Sequence, residues 1–91
     1  MLADSDRKTI LKISERYKAK RVILFGSSLK PNIESNDIDI AVEGINPKDF
    51  FNYYGDLITT LSKPIDVVEL STNSKFNHLI QQEGELLYGH V

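Results

Sequence analysis

Cysteine is absent from the 91-residue chain, which excludes disulfide bridges, a thiolate nucleophile and cysteine-ligated zinc. An excess of either charge is also missing. Lysine and arginine number 11 against 13 aspartates and glutamates, a formal net charge of −2 with both histidines neutral. A protein that gains affinity by neutralising many nucleic-acid phosphates needs a basic balance, so duplex binding as the main business is set aside and nucleic acid is not expected as the partner. No apolar run approaches the roughly 18 residues of a membrane span, and residues 1–10 lack the apolar stretch of a signal peptide. No membrane is expected, and the cytoplasm is the default location. Internal repeats, low-complexity tracts and a Pro/Gly/Ser linker are lacking too. What remains is ordinary globular composition, 41% hydrophobic and 26% charged. Residues 1–91 are expected to form one domain, of a size that buries about 60–65% of the surface its unfolded form exposes.

Hydrophobic periodicity gives the order of elements. Asp4 to about Lys20 places Ile10, Ile13, Ser14 and Tyr17 on one side of a helix, with Asp4 and Asp6 at its positive end. Arg21–Phe25 is a short continuous apolar run closed by Gly26, which predicts a strand buried on both faces. Residues 27–30 are expected to form a single helical turn before Pro31. Asp37 to Val42 alternates, so Asp37, Asp39 and Ala41 share one face of a second strand and Ile38, Ile40 and Val42 the other. Asn46 caps a helix whose first position is Pro47, and Phe50, Tyr54, Leu57, Ile58 and Leu61 make its apolar stripe up to Ser62 or Lys63. A third strand over 65–70, a helix carrying Phe76, Leu79 and Ile80 that ends near Gly84, and a short closing strand at 86–88 complete the chain. The order α-β-(turn)-β-α-β-α-(β) predicts an α/β fold of the α+β type, a mixed central sheet flanked by helices.

Three features could carry chemistry: Gly26-Ser27 closing the first strand, Asp37-x-Asp39 opening the second, and Asp66 opening the third. Residues i and i+2 of a strand point the same way about 6.6–6.8 Å apart, so two carboxylates there can lean onto a hard cation between them. Mg²⁺ suits such a pair, because it takes oxygen ligands and is commonly held by one or two carboxylates plus substrate phosphate. Without a cation the carboxylates repel, and at least one resists ionising. Gly26 permits a sharp exit from the strand and a close backbone approach to a ligand. Ser27 and Ser28 follow at the start of a turn, where free N–H groups and a hydroxyl can hold phosphate. Taken singly, an Asp-x-Asp is more often the wet face of an edge strand, and a Gly-Ser more often an ordinary capped turn. Together, on three consecutive predicted strands, they point to phosphate and metal chemistry.

With these residues the chain resembles the minimal nucleotidyltransferases (MNT domains) of the DNA polymerase β-like superfamily. The match is Leu24-Phe25-Gly26-Ser27, a spacer of nine residues from Ser28 to Asn36, Asp37-Ile38-Asp39-Ile40, and later Ile65-Asp66-Val67-Val68. The resemblance implies the nucleotidyltransferase fold and an enzyme that moves AMP from ATP onto a hydroxyl. It implies that Gly26 and Ser27 contact the triphosphate, with Ser28 a further candidate from its place in the turn, and that Asp37, Asp39 and Asp66 ligate two Mg²⁺ ions and are the catalytic residues. Asp66 is also placed to accept the hydroxyl proton. Many members carry arginine after the Gly-Ser pair; here Lys30 supplies the positive charge, as a point charge rather than a bidentate fork. Short members resemble antitoxins paired with HEPN-domain toxins, some of which receive AMP on a tyrosine. A HEPN-type toxin and a nucleoside triphosphate are therefore the expected partners, and a second copy of the chain is left open. The competing expectation is an antitoxin that neutralises its toxin by covering it, without catalysis.

Other features carry less. His78 and His90 are too isolated for a histidine metal site. Tyr53 and Tyr54 are expected to divide between helix surface and core, Lys18 to Arg21 reads as a solvated helix end, and Leu86-Leu87-Tyr88 as core closure or a partner-binding edge.

Overall fold

Strand β1 (Arg21–Phe25) lies between β2 (Ile38–Glu43) and β4 (Glu85–Gly89), antiparallel to both. Strand β3 (Ile65–Glu69) joins β2 in parallel, which gives a mixed four-stranded sheet in the order β3-β2-β1-β4. Three helices complete the fold: α1 (Asp4–Arg16), α2 (Phe50–Thr60) and α3 (Lys75–Glu83). The structure is a computed structural model that describes residues 2–26, 37–70 and 75–89. A parallel pair needs a crossover, and α2 supplies it between β2 and β3.

The sheet is covered on both faces, as the apolar run at 21–25 and the alternation at 37–42 require. On one face Ile10 and Ile13 of α1 and Tyr53 and Leu57 of α2 pack over Val22, Leu24, Ile38, Ile40, Val42 and Ile65. On the other, Ile80 of α3 packs with Ile23, Ala41 and Leu70, and Phe25, Val68 and Leu86 lie against them. The closing strand is present as β4, paired to β1. The helical turn expected at 27–30 lies outside the described residues.

Two elements differ from expectation. Helix α1 ends at Arg16 rather than near Lys20, because Lys18 adopts a left-handed conformation with φ of 60°. The Lys18 N–H donates to the Glu15 carbonyl (3.0 Å) and the Ala19 N–H to that of Ser14 (2.9 Å). This is the helix-ending arrangement in which glycine is usual. The Lys18–Arg21 run is thus a turn into β1, where the Arg21 guanidinium meets Glu43 at 2.6 Å.

The second difference is in α2. Asn46 caps as expected, its Oδ1 accepting from the Lys48 N–H at 3.1 Å, but it caps a 3-10 turn over Pro47–Asp49, and α2 proper begins at Phe50. The helix stops at Thr60, since Leu61 is already extended. Its buried side chains are Tyr53 and Leu57, whereas Ile58 is 56% exposed. The apolar stripe is therefore rotated from the predicted one. Tyr53 is wholly buried because its hydroxyl finds Ser14 of α1 at 2.8 Å.

Candidate active site

The acid-bearing residues collect where β2 and β3 begin and β1 ends. In the parallel register Asp39 stands beside Asp66, and in the antiparallel one Asp39 stands opposite Phe25. Alternation places Asp39 and Asp66 on the α3-bearing face, two residues before Ala41 and Val68, which that layer covers. Asp37 directly precedes β2. The face is thus apolar under α3 and acidic at its open end. Asp39 is half-buried, while Asp37 and Asp66 are exposed.

Burial pushes the Asp39 carboxyl above its ordinary value of 3.8, and the charges of Asp66 and then Asp37 push it the same way. Burial alone raises a carboxyl, and like charges nearby add to it. Among the described residues no lysine or arginine forms a salt bridge with Asp39 or Asp66. The like charges of these two are therefore uncompensated by basic side chains of the described segments.

Gly26 closes the arrangement. Its φ is +74°, and a Cβ built on it would lie 2.6 Å from the Asp39 Oδ2, so the Asp39 carboxylate rests against the bare Cα at the end of β1. Only glycine combines that backbone with that approach. Ser27, Ser28 and Lys30, the other expected phosphate contacts, lie outside the described residues.

The donor set consists of carboxylate oxygens alone, which matches a hard cation such as Mg²⁺ and not zinc or copper. Among the described residues no group of three or more acidic or histidine side chains is gathered closely enough to hold an ion. Mg²⁺ keeps several waters and is commonly bound through one or two carboxylates, so Asp39 with one neighbour fits it. His78 is exposed on α3. The register pairing of Asp39 with Asp66 has no sequence signal of its own, although the helical crossover between β2 and β3 already implies parallel neighbours. The exposed apolar Phe51 of α2, 84% accessible, had no sequence signal separating it from the core stripe.

Residues 8–90 match the family described as polymerase β nucleotidyltransferase. The chain belongs to that family. Its fold accordingly resembles solved nucleotidyltransferases. One similar structure is a toxin–antitoxin crystallised with AMP-PNP, with a TM-score of 0.74 at 25% identity over 92% of this chain and 73% of that one. A second is the tri-AMPylated HEPN toxin of Shewanella oneidensis in complex with an MNT antitoxin, with a TM-score of 0.70 at 24% identity over 93% and 71%. A third, described as a minimal nucleotidyltransferase, gives 0.70 at 23% identity over 86% and 85%. The last two bear on the fold of the nucleotidyltransferase domain alone. No curated protein matches the chain. Among the described residues no helix is long and apolar enough to cross a membrane.

Proposed function

We propose that this nucleotidyltransferase moves AMP from ATP, with Mg²⁺, to a hydroxyl of a HEPN-type partner protein in the cytoplasm, the expected acceptor being a tyrosine, and so acts as an antitoxin. The observation that carries the reading is the Asp39 carboxylate set against the bare Cα of Gly26 and beside Asp66 and Asp37. The family match and the likeness to a toxin–antitoxin bound to AMP-PNP support it.

In this reading Asp37, Asp39 and Asp66 hold two Mg²⁺ ions, which when bound polarise the α-phosphate and offset charge on the leaving pyrophosphate. The chain's own part is positioning. Gly26 lets the triphosphate approach the end of β1, and Ser27, Ser28 and Lys30 contact its phosphates. Asp66 receives the proton of the attacking hydroxyl as the oxygen–phosphorus bond to AMP forms and that to pyrophosphate breaks. The half-burial of Asp39 keeps its own carboxylate partly out of water, where its charge acts more strongly on a bound cation.

The test is incubation of the chain with ATP labelled on the α-phosphate, Mg²⁺ and the protein encoded by the adjacent reading frame. Label should pass to that protein, and Asp37→Asn with Asp39→Asn should stop the transfer. Labelling that survives the double substitution rejects the site.

A second reading has one observation in its favour: three acidic side chains are not gathered on one point among the described residues. The chain would then neutralise its partner by covering it. In that case the doubly substituted chain neutralises the toxin as well as the original does.

A further inference from the structure

Positive charge is unevenly distributed along this chain. Residues 7–21 hold seven of its 11 lysines and arginines and a single acidic residue, Glu15, for a local charge of +6. With −2 overall, the remaining residues carry −8. The near-neutral total conceals this segregation. Structure makes it a surface. Lys8, Lys12 and Arg16 recur every four residues of α1 and are all at least partly exposed, so they stand in one row at steps of about 6 Å along the helix.

The row ends at a cleft of about 440 Å³ whose walls include Arg16, Lys18, Asn46, Lys48 and Asp49. Among the described residues Lys8, Lys12, Lys18 and Lys48 form no salt bridge, and Arg16 reaches Asp56 only at 3.8 Å. Lys18 projects from a left-handed residue, a conformation that persists only where the surroundings impose it.

We propose that this row and cleft dock an acidic segment of a protein partner. Charge complementarity selects a polyanion. The cleft's aromatic side chain then separates protein from single-stranded nucleic acid. Tyr17 is committed, its hydroxyl donating to Asp56 at 2.7 Å and its ring packed edge-on to Tyr53 with centroids 5.7 Å apart. No base-stacking platform is offered there, and nucleic-acid strands held without sequence preference rely on one. Arg7 is paired with Glu85 and both Lys20 and Arg21 with Glu43, so a short acidic segment meets chiefly Lys8, Lys12, Lys18 and Lys48, whereas a long polyanion would also meet the net negative remainder of the molecule.

The position suits an anchor. The cleft borders Gly44, just past the end of β2, and the carboxylates stand at the start of that strand, about 20 Å away at the rise of a six-residue strand. A segment bound in the cleft leaves Asp39 open. The inference rests on the function proposed above only in taking the partner to be a protein.

Titrating the isotopically labelled chain with an oligoglutamate of about ten residues at roughly 100 mM salt, where the Debye length is about 10 Å, tests it by amide chemical shifts. Shifts should be confined to residues 8–20 and 44–49. Lys12→Glu with Lys18→Glu should weaken binding about tenfold or more, while Lys63→Glu with Lys75→Glu changes it less than about twofold. If the first pair disturbs folding by circular dichroism, Lys8→Glu with Lys48→Glu replaces it. Asp39→Asn should bind as the original chain does; an unsubstituted chain that binds the oligoglutamate but transfers no AMP counts against the enzymatic reading and not against this one. No binding by the folded chain, equal weakening by both charge pairs, or tighter binding of an oligothymidylate of equal charge at the same residues would overturn the proposal.

Discussion

At the scale of single residues, two positions hold a conformation or charge that folding alone would avoid. Lys18 is left-handed, which costs an L-residue about 1–2 kcal/mol, partly offset for glycine by its larger unfolded-state entropy. Lys18→Gly should therefore stabilise the chain by about 0.5–1 kcal/mol in urea denaturation, while weakening its hold on oligoglutamate. Asp39 is the other position. Its folded-state carboxyl is raised by burial and by Asp66 and Asp37, so the folded state binds a proton more tightly than the unfolded one. The contribution to stability is thus present below the unfolded value and is lost as pH rises through the folded one. Asp39→Asn should stabilise the apo chain at pH 7 and make little difference near pH 3, where the carboxyl is neutral in both states. Equal effects at the two pH values would show that Asp39 does not carry this repulsion.

At the scale of elements, the Ser14–Tyr53 pair sets how α2 lies against α1. Both residues are fully buried, and their hydroxyls meet at 2.8 Å. Tyr53→Phe leaves the Ser14 hydroxyl without that partner and should cost about 1–3 kcal/mol, with Ser14→Ala in the same chain recovering part of it. Burial pushes the Tyr53 phenol up to about 12 from 10.0, against the weaker opposite pull of Ser14. Because the unfolded phenol ionises first, wild-type stability relative to Tyr53→Phe should fall between about pH 10 and 12. Urea midpoints across that interval measure it.

The same pair explains what the sequence could not show. Phe50, Phe51, Tyr53, Tyr54, Leu57 and Ile58 spread over an apolar arc of roughly 160° on α2 at 3.6 residues per turn, so periodicity alone cannot choose which edge of that arc is buried. The choice belongs to a hydroxyl 39 positions away. The end of α1 was equally hidden, since lysine stands where glycine would have marked it. The strands, by contrast, were legible almost to the residue, because β1 is apolar on both faces and β2 alternates. The acid cluster was legible as a motif, and its register was not, because pairing between β2 and β3 is settled by the packing of α2 over 50–60.

At the scale of the whole molecule, the two ends of β2 carry opposite charge: carboxylates before it, and Lys18 and Lys48 around the cleft after it. The repulsion at the acidic end is a standing cost in the apo state, and a divalent cation that removes it binds the folded chain and not the unfolded one, where residues 37, 39 and 66 are not held together. Mass action then ties ion occupancy to stability. At a free Mg²⁺ concentration ten times the dissociation constant, the gain is about 1.4 kcal/mol. For a chain of this size that is a rise in Tm of about 6–11 °C. The rise should vanish with chelator, be absent in Asp39→Asn, and persist in Lys12→Glu with Lys18→Glu, whose charges lie at the far end of the strand. A rise retained by Asp39→Asn would place the ion elsewhere and separate cation binding from the acid cluster. A rise lost in the lysine variant would mean that the two ends of the sheet are coupled rather than independent sites.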